Sequence, residues 1–191
     1  MVTSAAQFKK SGFSDEESKQ LAVTAAMFQN VADTAVSAED AAASLVSQIR
    51  AFREKADFAT TVVDAYNEVA NNFSVGTNDL AGAMEVASSG LATYGNDFQS
   101  ILGLVTAGTE IMQGRSLQVA RGLSTIAANI VKNKDALAEY GIEVELADGK
   151  LKSTYDVLSE LSEQWDTMSD VERTALGDTL AGYCIASDRL N

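Results

Sequence analysis

"SDEESKQLAVTAAMFQNVADTAVSAEDAAASLVSQIRAF", residues 14–52, holds two helix starts and two apolar stripes. Ser14 precedes Asp15, Glu16 and Glu17. That is a side-chain N-cap followed by acids in the first turn, where they complement the positive end of the helix dipole. Leu21, Ala25, Phe28 and Ala32 then recur at helical spacing. Ser37 with Asp40 three residues on repeats the cap in capping-box form. Ala41, Leu45, Ile49 and Phe52 supply a second stripe. Two capped helices joined by a short break predict a helical hairpin, and the chain outside this stretch is read from there.

The same phrase returns downstream. Set against the chain at an offset of 82, residues 15–25 give five identities: Asp15 with Asp97, Ser18 with Ser100, Val23 with Val105, Thr24 with Thr106 and Ala25 with Ala107. Around the second copy the plan is similar. Thr77 begins a helix that Gly95 and Asn96 stop, and Asn96 or Asp97 caps the next one, which runs to about Gln113. Ser116 then opens a helix carrying Leu117, Ala120, Leu123 and Ile126. Between the copies, residues 57–71 form a helix with Phe58, Val62, Ala65, Tyr66 and Val69 inward. A recurring two-helix unit is the sign of a stacked helical framework.

Composition supports an all-α multi-helix bundle. The 191 residues include no proline, and 46% are apolar but only 7% aromatic. Long helices are therefore uninterrupted, and the core is built of Ala, Val, Leu and Ile, which let helices approach closely. Net charge is −13, and the 14 Lys and Arg are dispersed. That excludes a phosphate-tracking nucleic-acid surface. "MVTSAAQFKKSG" has no apolar h-region, and "ILGLVTAG" is too short to cross a bilayer. The sequon at Asn72 is read as chance.

The last third differs. Ile142, Val144 and Leu146 alternate with Glu143 and Glu145, the period of a strand. Asp148-Gly149 reads as a two-residue type I′ turn, with Leu151 and Lys152 returning, so a small β-hairpin is predicted near 142–152. A helix from about Ser153 carries Tyr155, Leu158, Leu161 and Trp165. Ser169 and Glu172 form a further capping box before a helix with Val171, Leu176, Leu180 and, past Gly182, Ile185. The chain thus divides into a helical repeat region, 1–133, and a hairpin-plus-helices module, 134–191. Residues 5–10 read as the tail of a helix and "IASDRLN" stops in mid-pattern, so the chain reads as a piece of a longer protein.

No constellation carries chemistry. There is no histidine, the commonest general base and metal ligand. Cys184, the single cysteine, sits in an apolar setting and reads as a buried, inert thiol. "GLVTAG" and "GDTLAG" match G-x-x-x-x-G but lack the Lys and Ser or Thr of a phosphate loop. The acid clusters 15–17 and 39–40 are explained by helix starts. Asp148-Gly149 lacks the other oxygen ligands of a calcium loop. Trp165 shares a stripe with Leu158 and Leu161 and reads as core. No enzyme, metal or cofactor is expected.

Residues 140–182, "YGIEVELADGKLKSTYDVLSELSEQWDTMSDVERTALGDTLAG", resemble the core region of phage tail tape measure proteins. The motif is a helix ended by Gly141 and followed by a strand, a turn at Asp148 and Gly149, a helix with Leu158, Leu161 and the aromatic Trp165, and a Ser-capped helix ending Leu180, Ala181, Gly182. Tyr183-Cys184 departs from the family pattern. Upstream, "YNEVANNFSVGTNDLAGAMEVASSGLATYG" and "RSLQVARGLSTIAANI" are similar to the family's capped Ala-rich helices. The resemblance implies a virion structural protein of a phage or prophage, lying in the tail lumen after assembly in the host cytoplasm. It would set tail length and act in tail assembly and genome ejection. Implied partners are other tape measure copies in a homo-oligomer, tail tube and baseplate proteins, and tail assembly chaperones. The thirteen glycines and repeated caps imply a folded-back module rather than one extended helix. The alternatives are a cellular helical binding or scaffold module, which would show sustained heptads, and a helical enzyme.

Overall fold

Helix starts and stops, many of them set by short-range chemistry, divide the described residues into ten helices. The computed structural model describes residues 2–181. They form α1 (Val2–Lys10), α2 (Asp15–Val31), α3 (Ala38–Phe52), α4 (Phe58–Asn72), α5 (Thr77–Thr93), α6 (Phe98–Ile111), α7 (Ser116–Lys132), α8 (Lys134–Ala138), α9 (Thr154–Trp165) and α10 (Asp170–Ala181). The starts follow the expected chemistry. Ser14 and Glu17 close a full capping box on α2, with Ser14 N–H donating to Glu17 Oε2 at 2.8 Å. Ser37 Oγ accepts from Asp40 N–H at 3.0 Å, Asp97 Oδ1 from Ser100 N–H at 2.7 Å, and Ser153 Oγ from Asp156 N–H at 3.0 Å. Asp97, not Asn96, is therefore the cap of α6.

Ser116 does not cap α7. Arg115 stands at that position, and Ser116 Oγ instead donates to Asp79 Oδ1 of α5 at 3.1 Å.

Three helices stop with one device. Gly12, Gly95 and Gly141 have φ of +92°, +76° and +73°. Each lets the following N–H reach back five residues: Phe13 to Phe8, Asn96 to Leu91 and Ile142 to Leu137. This is the Schellman end, in which the residue after the left-handed position packs on the last turn. Phe8 and Phe13 make that contact edge-on at 6.2 Å. The end of α3 has the same bonds, Glu54 N–H to Ile49 O at 2.9 Å, but Arg53 holds the left-handed position at φ 56°.

Helices α3, α5 and α7 pack side by side as a spine. On the α3 side lie α1, α2 and α4; α6 packs on α5 and α7; α8 and α10 lie against α7, and α9 against α6. The larger core runs through α1–α7 and contains Leu21, Leu45, Leu80 and Leu91, all 0% exposed. Each such leucine contributes roughly 1.5–3 kcal/mol by leaving water. Alanines at 41, 42, 59, 83, 87, 120 and 127 keep the helices close. Phe52, Phe58 and Phe98 meet edge-on with centroids 5.3–6.0 Å apart, tying α3, α4 and α6 together. A Cβ at Gly108 would lie 2.5 Å from Val119 Cγ1, so glycine permits the α6–α7 contact. A second core joins Ile130, Leu137, Ile142, Val144, Val157, Leu161, Met168, Leu176 and Leu180.

The hairpin expected near 142–152 is not a pair of strands. Among the described residues there is one isolated antiparallel bridge, Glu145 with Leu151. Ile142 is already committed to closing α8 and Ser153 to capping α9, so little chain remains between them. A two-stranded ribbon that short has no independent stability.

Candidate functional site

The residues expected to form the motif lie around the second core: Leu180 belongs to it, Trp165 packs against it, and Gly141, Asp148, Gly149 and Ala181 are exposed. Gly141 ends α8, and Leu137 and Ile142, on either side of the bend, are both 0% exposed. The alternation beyond it holds for two turns of the pleat: Ile142 and Val144 are buried, while Leu146 is 45% exposed. The turn spans three residues rather than two. Leu146 N–H donates to Lys150 O at 2.7 Å and Gly149 N–H to Leu146 O at 2.9 Å. Gly149 alone takes positive φ, at +81°, and Asp148 does not. This is a type I turn closed by a glycine bulge, not type I′. It suits Asp148, whose Oδ1 accepts from Lys150 N–H at 3.1 Å while Oδ2 pairs with Lys150 Nζ at 2.8 Å. Those contacts hold the Asp148 carboxyl below its usual range. Lys134 Nζ pairs with Glu145 at 2.7 Å, which raises the Lys134 ammonium and fastens the loop to α8.

Trp165 ends α9 half-buried at the edge of the second core. Its carbonyl accepts from Arg173 Nε at 2.8 Å, so α10 supplies the C-terminal cation for α9. Ser169 and Glu172 make the expected capping box, with Ser169 N–H donating to Glu172 Oε2 at 2.8 Å. Leu176 and Leu180 are buried, and Leu180 O accepts from Asn129 Nδ2 of α7 at 3.0 Å. Ala181 is exposed. Gly182, Tyr183, Cys184 and Ile185 lie outside the described residues. Tyr155 and Val171, read as inward, are 45% and 78% exposed; Thr154 and Val157 take the inward places on α9.

Sequence reading missed the residue that joins this segment to the larger core. Asn96, 4% exposed, donates through Nδ2 to Leu91 O at 2.9 Å, Tyr94 O at 3.2 Å and Thr154 Oγ1 at 3.0 Å. Its Oδ1 accepts from Tyr155 N–H at 3.1 Å. One amide thus closes the end of α5 and satisfies a free N–H in the first turn of α9. Beside it, a Cβ on Gly95 would stand 2.9 Å from Leu151 O, so the return arm rests directly on that glycine. The only sequence signal was the Gly-Asn pair, legible as a helix stop but not as a joint.

"GLVTAG" is helical throughout, inside α6. Among the described residues no three His, Cys, Asp or Glu side chains converge as metal ligands. No helix there is long and apolar enough to cross a membrane.

Stacked short helices, close contacts through Ala and Gly, and a hairpin-like loop locked between two helix ends define an all-α packing module. The phage-related minor tail protein family matches residues 1–182, and the chain belongs to that family. It is a phage tail protein. No solved structure matches it.

Proposed function

We propose that this chain is a structural module of a tape measure protein, acting in tail assembly and tail-length determination and in genome ejection. The match to minor tail proteins over residues 1–182 carries the reading. In this reading the module has no catalytic role, needs no cofactor, and lies in the tail lumen among other copies and the tube, baseplate and chaperone proteins. With a net charge of −13, it presents a surface that repels rather than grips passing DNA.

The helices fold back on one another, so the module spans far less than its contour length. As a single helix, 191 residues would reach roughly 290 Å at 1.5 Å each. An in-frame deletion in the phage, followed by electron microscopy of tails and plaque counts, tests the proposal. The expected result is impaired assembly or infectivity, with tail shortening well below that length. Infectious virions with unchanged tails would refute the structural role. Shortening by the full helical amount would show the segment stretched out in the tail.

A further inference from the structure

A cleft of about 240 Å³ opens where the α2–α3 connection meets α5. Its polar lining is Asp40, Ser44, Asn78 and Glu85, and its apolar wall includes Phe28 and Val36. Asn78 Nδ2 is taken by the carbonyl and hydroxyl of Thr34. That fixes the amide and leaves Asn78 Oδ1 buried with nothing to accept from. Ser44 is 2% exposed; its hydroxyl faces the Glu85 carboxyl without a well-formed hydrogen bond, which leaves its oxygen free to accept. One oxygen of Asp40, Oδ2, accepts from Ser37 Oγ at 2.7 Å. At the mouth, burial lifts the Glu85 carboxyl above its ordinary range, the charge of Asp40 lifts it further, and the nearby Ser44 hydroxyl offsets only part of that.

Acceptors therefore crowd a site that has almost no donors. An unpaired buried acceptor carries a desolvation cost until a donor arrives, and two carboxylates sharing a cleft attract a positive charge. The carboxylates here number two, Asp40 and Glu85, and among the described residues no three His, Cys, Asp or Glu side chains converge as metal ligands. The cleft is below the ~300 Å³ at which pockets begin to hold drug-sized ligands. Its size and its apolar wall suit a single long side chain.

We propose that this cleft receives one basic side chain, Lys or Arg, presented by a partner polypeptide. Asp40 and Glu85 flank the cationic head, Asn78 Oδ1 and Ser44 Oγ accept its N–H groups, and Phe28 and Val36 pack its methylene stem. Charge favours a basic partner over a second copy, because two chains of −13 repel. The partner's being another tail protein rests on the function proposed above; the cleft chemistry does not.

The test is titration of the isotope-labelled chain with N-acetyl-arginine amide and with N-acetyl-lysine amide, at constant ionic strength, read by amide chemical shifts. Saturable shifts confined to residues around Asp40, Ser44, Asn78 and Glu85 are expected with one or both probes. Glu85→Gln should weaken that binding about tenfold, the scale of one charge-assisted contact, while Glu16→Gln at the exposed start of α2 leaves it unchanged. Glutamine keeps the size and shape of glutamate while removing its charge, and an unchanged spectrum elsewhere verifies the fold. Shifts scattered over all acidic residues, or equal in Glu85→Gln, overturn the proposal. So does saturation by calcium chloride when neither organic cation binds. These results are independent of the tail-length measurement, so either reading can fail alone.

Discussion

Replacing Asn96 with alanine tests the joint between the two cores. The side chain makes four hydrogen bonds, to Leu91 O, Tyr94 O, Thr154 Oγ1 and Tyr155 N–H. Each is worth about 0.5–1.5 kcal/mol net, and a buried group left unpaired costs more than that mean. Thr154 is 2% exposed, so its hydroxyl has little access to water once the amide is gone. The Tyr155 N–H is nearer the surface and recovers part of its loss. A destabilisation of about 2–4 kcal/mol follows. For a chain of this size that lowers the melting temperature by roughly 4–16 °C. Urea denaturation gives the magnitude, and hydrogen exchange gives the place. Tyr155 and Asp156 amides should exchange much faster, while amides in the middle of α3 keep their protection. A loss under about 0.5 kcal/mol, or unchanged protection at Tyr155, would refute the view that Asn96 joins α5 to α9.

Two glycines of α6 should respond in opposite directions. Gly103→Ala meets no atom within 4 Å and should stabilise by about 0.5–1 kcal/mol through helix propensity. Gly108→Ala drives a methyl to 2.5 Å from Val119 and should destabilise by about 1 kcal/mol or more through overpacking; thermal melts of the two variants check the sign. Arg53→Gly removes the left-handed penalty of about 1–2 kcal/mol at φ 56° against a smaller entropic loss, so a net gain of about 0.5 kcal/mol is expected in urea titration. The Ser14 contacts hold the Glu17 carboxyl below its ordinary 4.5. A lowered folded value stabilises above the unfolded one and is lost as pH falls through the folded one. The stability gap between the native chain and Glu17→Gln should therefore be full at pH 7 and close below pH 4.5, as read by denaturation at a series of pH values.

Helix ends were the most legible feature because they are local. Ser14, Ser37, Ser153 and Ser169 each find an acid three residues on, and an interaction that closes within one turn is fixed by sequence alone. Which face is buried was less legible. Hydrophobicity predicts Tyr155, Leu117 and Val171 inward, but the structure leaves them at the surface. Small or polar Thr154 and Thr77 are buried instead, Thr154 bonded to Asn96 and Thr77 to Val31 O. The cap of α5 shows why such places are hidden. Gly76 has no side chain to offer, and Asp33, from the α2–α3 connection, supplies the acceptor for Asn78 N–H at 2.9 Å. A Cβ at Gly76 would sit 2.5 Å from that carboxylate. The two residues are far apart in sequence, and nothing local connects them. The acceptor-rich cleft is of the same kind. Asp40 was legible only as a first-turn acid, and its company with Glu85 and Asn78 exists only once α3 and α5 pack.

The recurring phrase shows how identity and structure part company. An offset of 82 pairs Val23 with Val105 and Ala25 with Ala107. Yet Val23 is 52% exposed while Val105 is 0%, and Ala25 is 0% exposed while Ala107 faces water. At 100° per residue, an error of two positions turns a helix by about 200°, placing the core stripe of one copy on the solvent face of the other. The buried faces instead match at an offset of 80, where Leu21 meets Ile101, Ala22 meets Leu102 and Ala25 meets Val105. For the next helix of each unit the offset is 78, with Ala41 on Val119, Ala42 on Ala120 and Leu45 on Leu123. The connection between α2 and α3 differs in length from that between α6 and α7, so no single offset serves both. Identities at 82 therefore reflect a common Ala, Ser and Thr vocabulary. What returns is the pattern of burial, helix by helix, because α3 and α7 each pack on α5 while α2 and α6 each pack on their own hairpin partner.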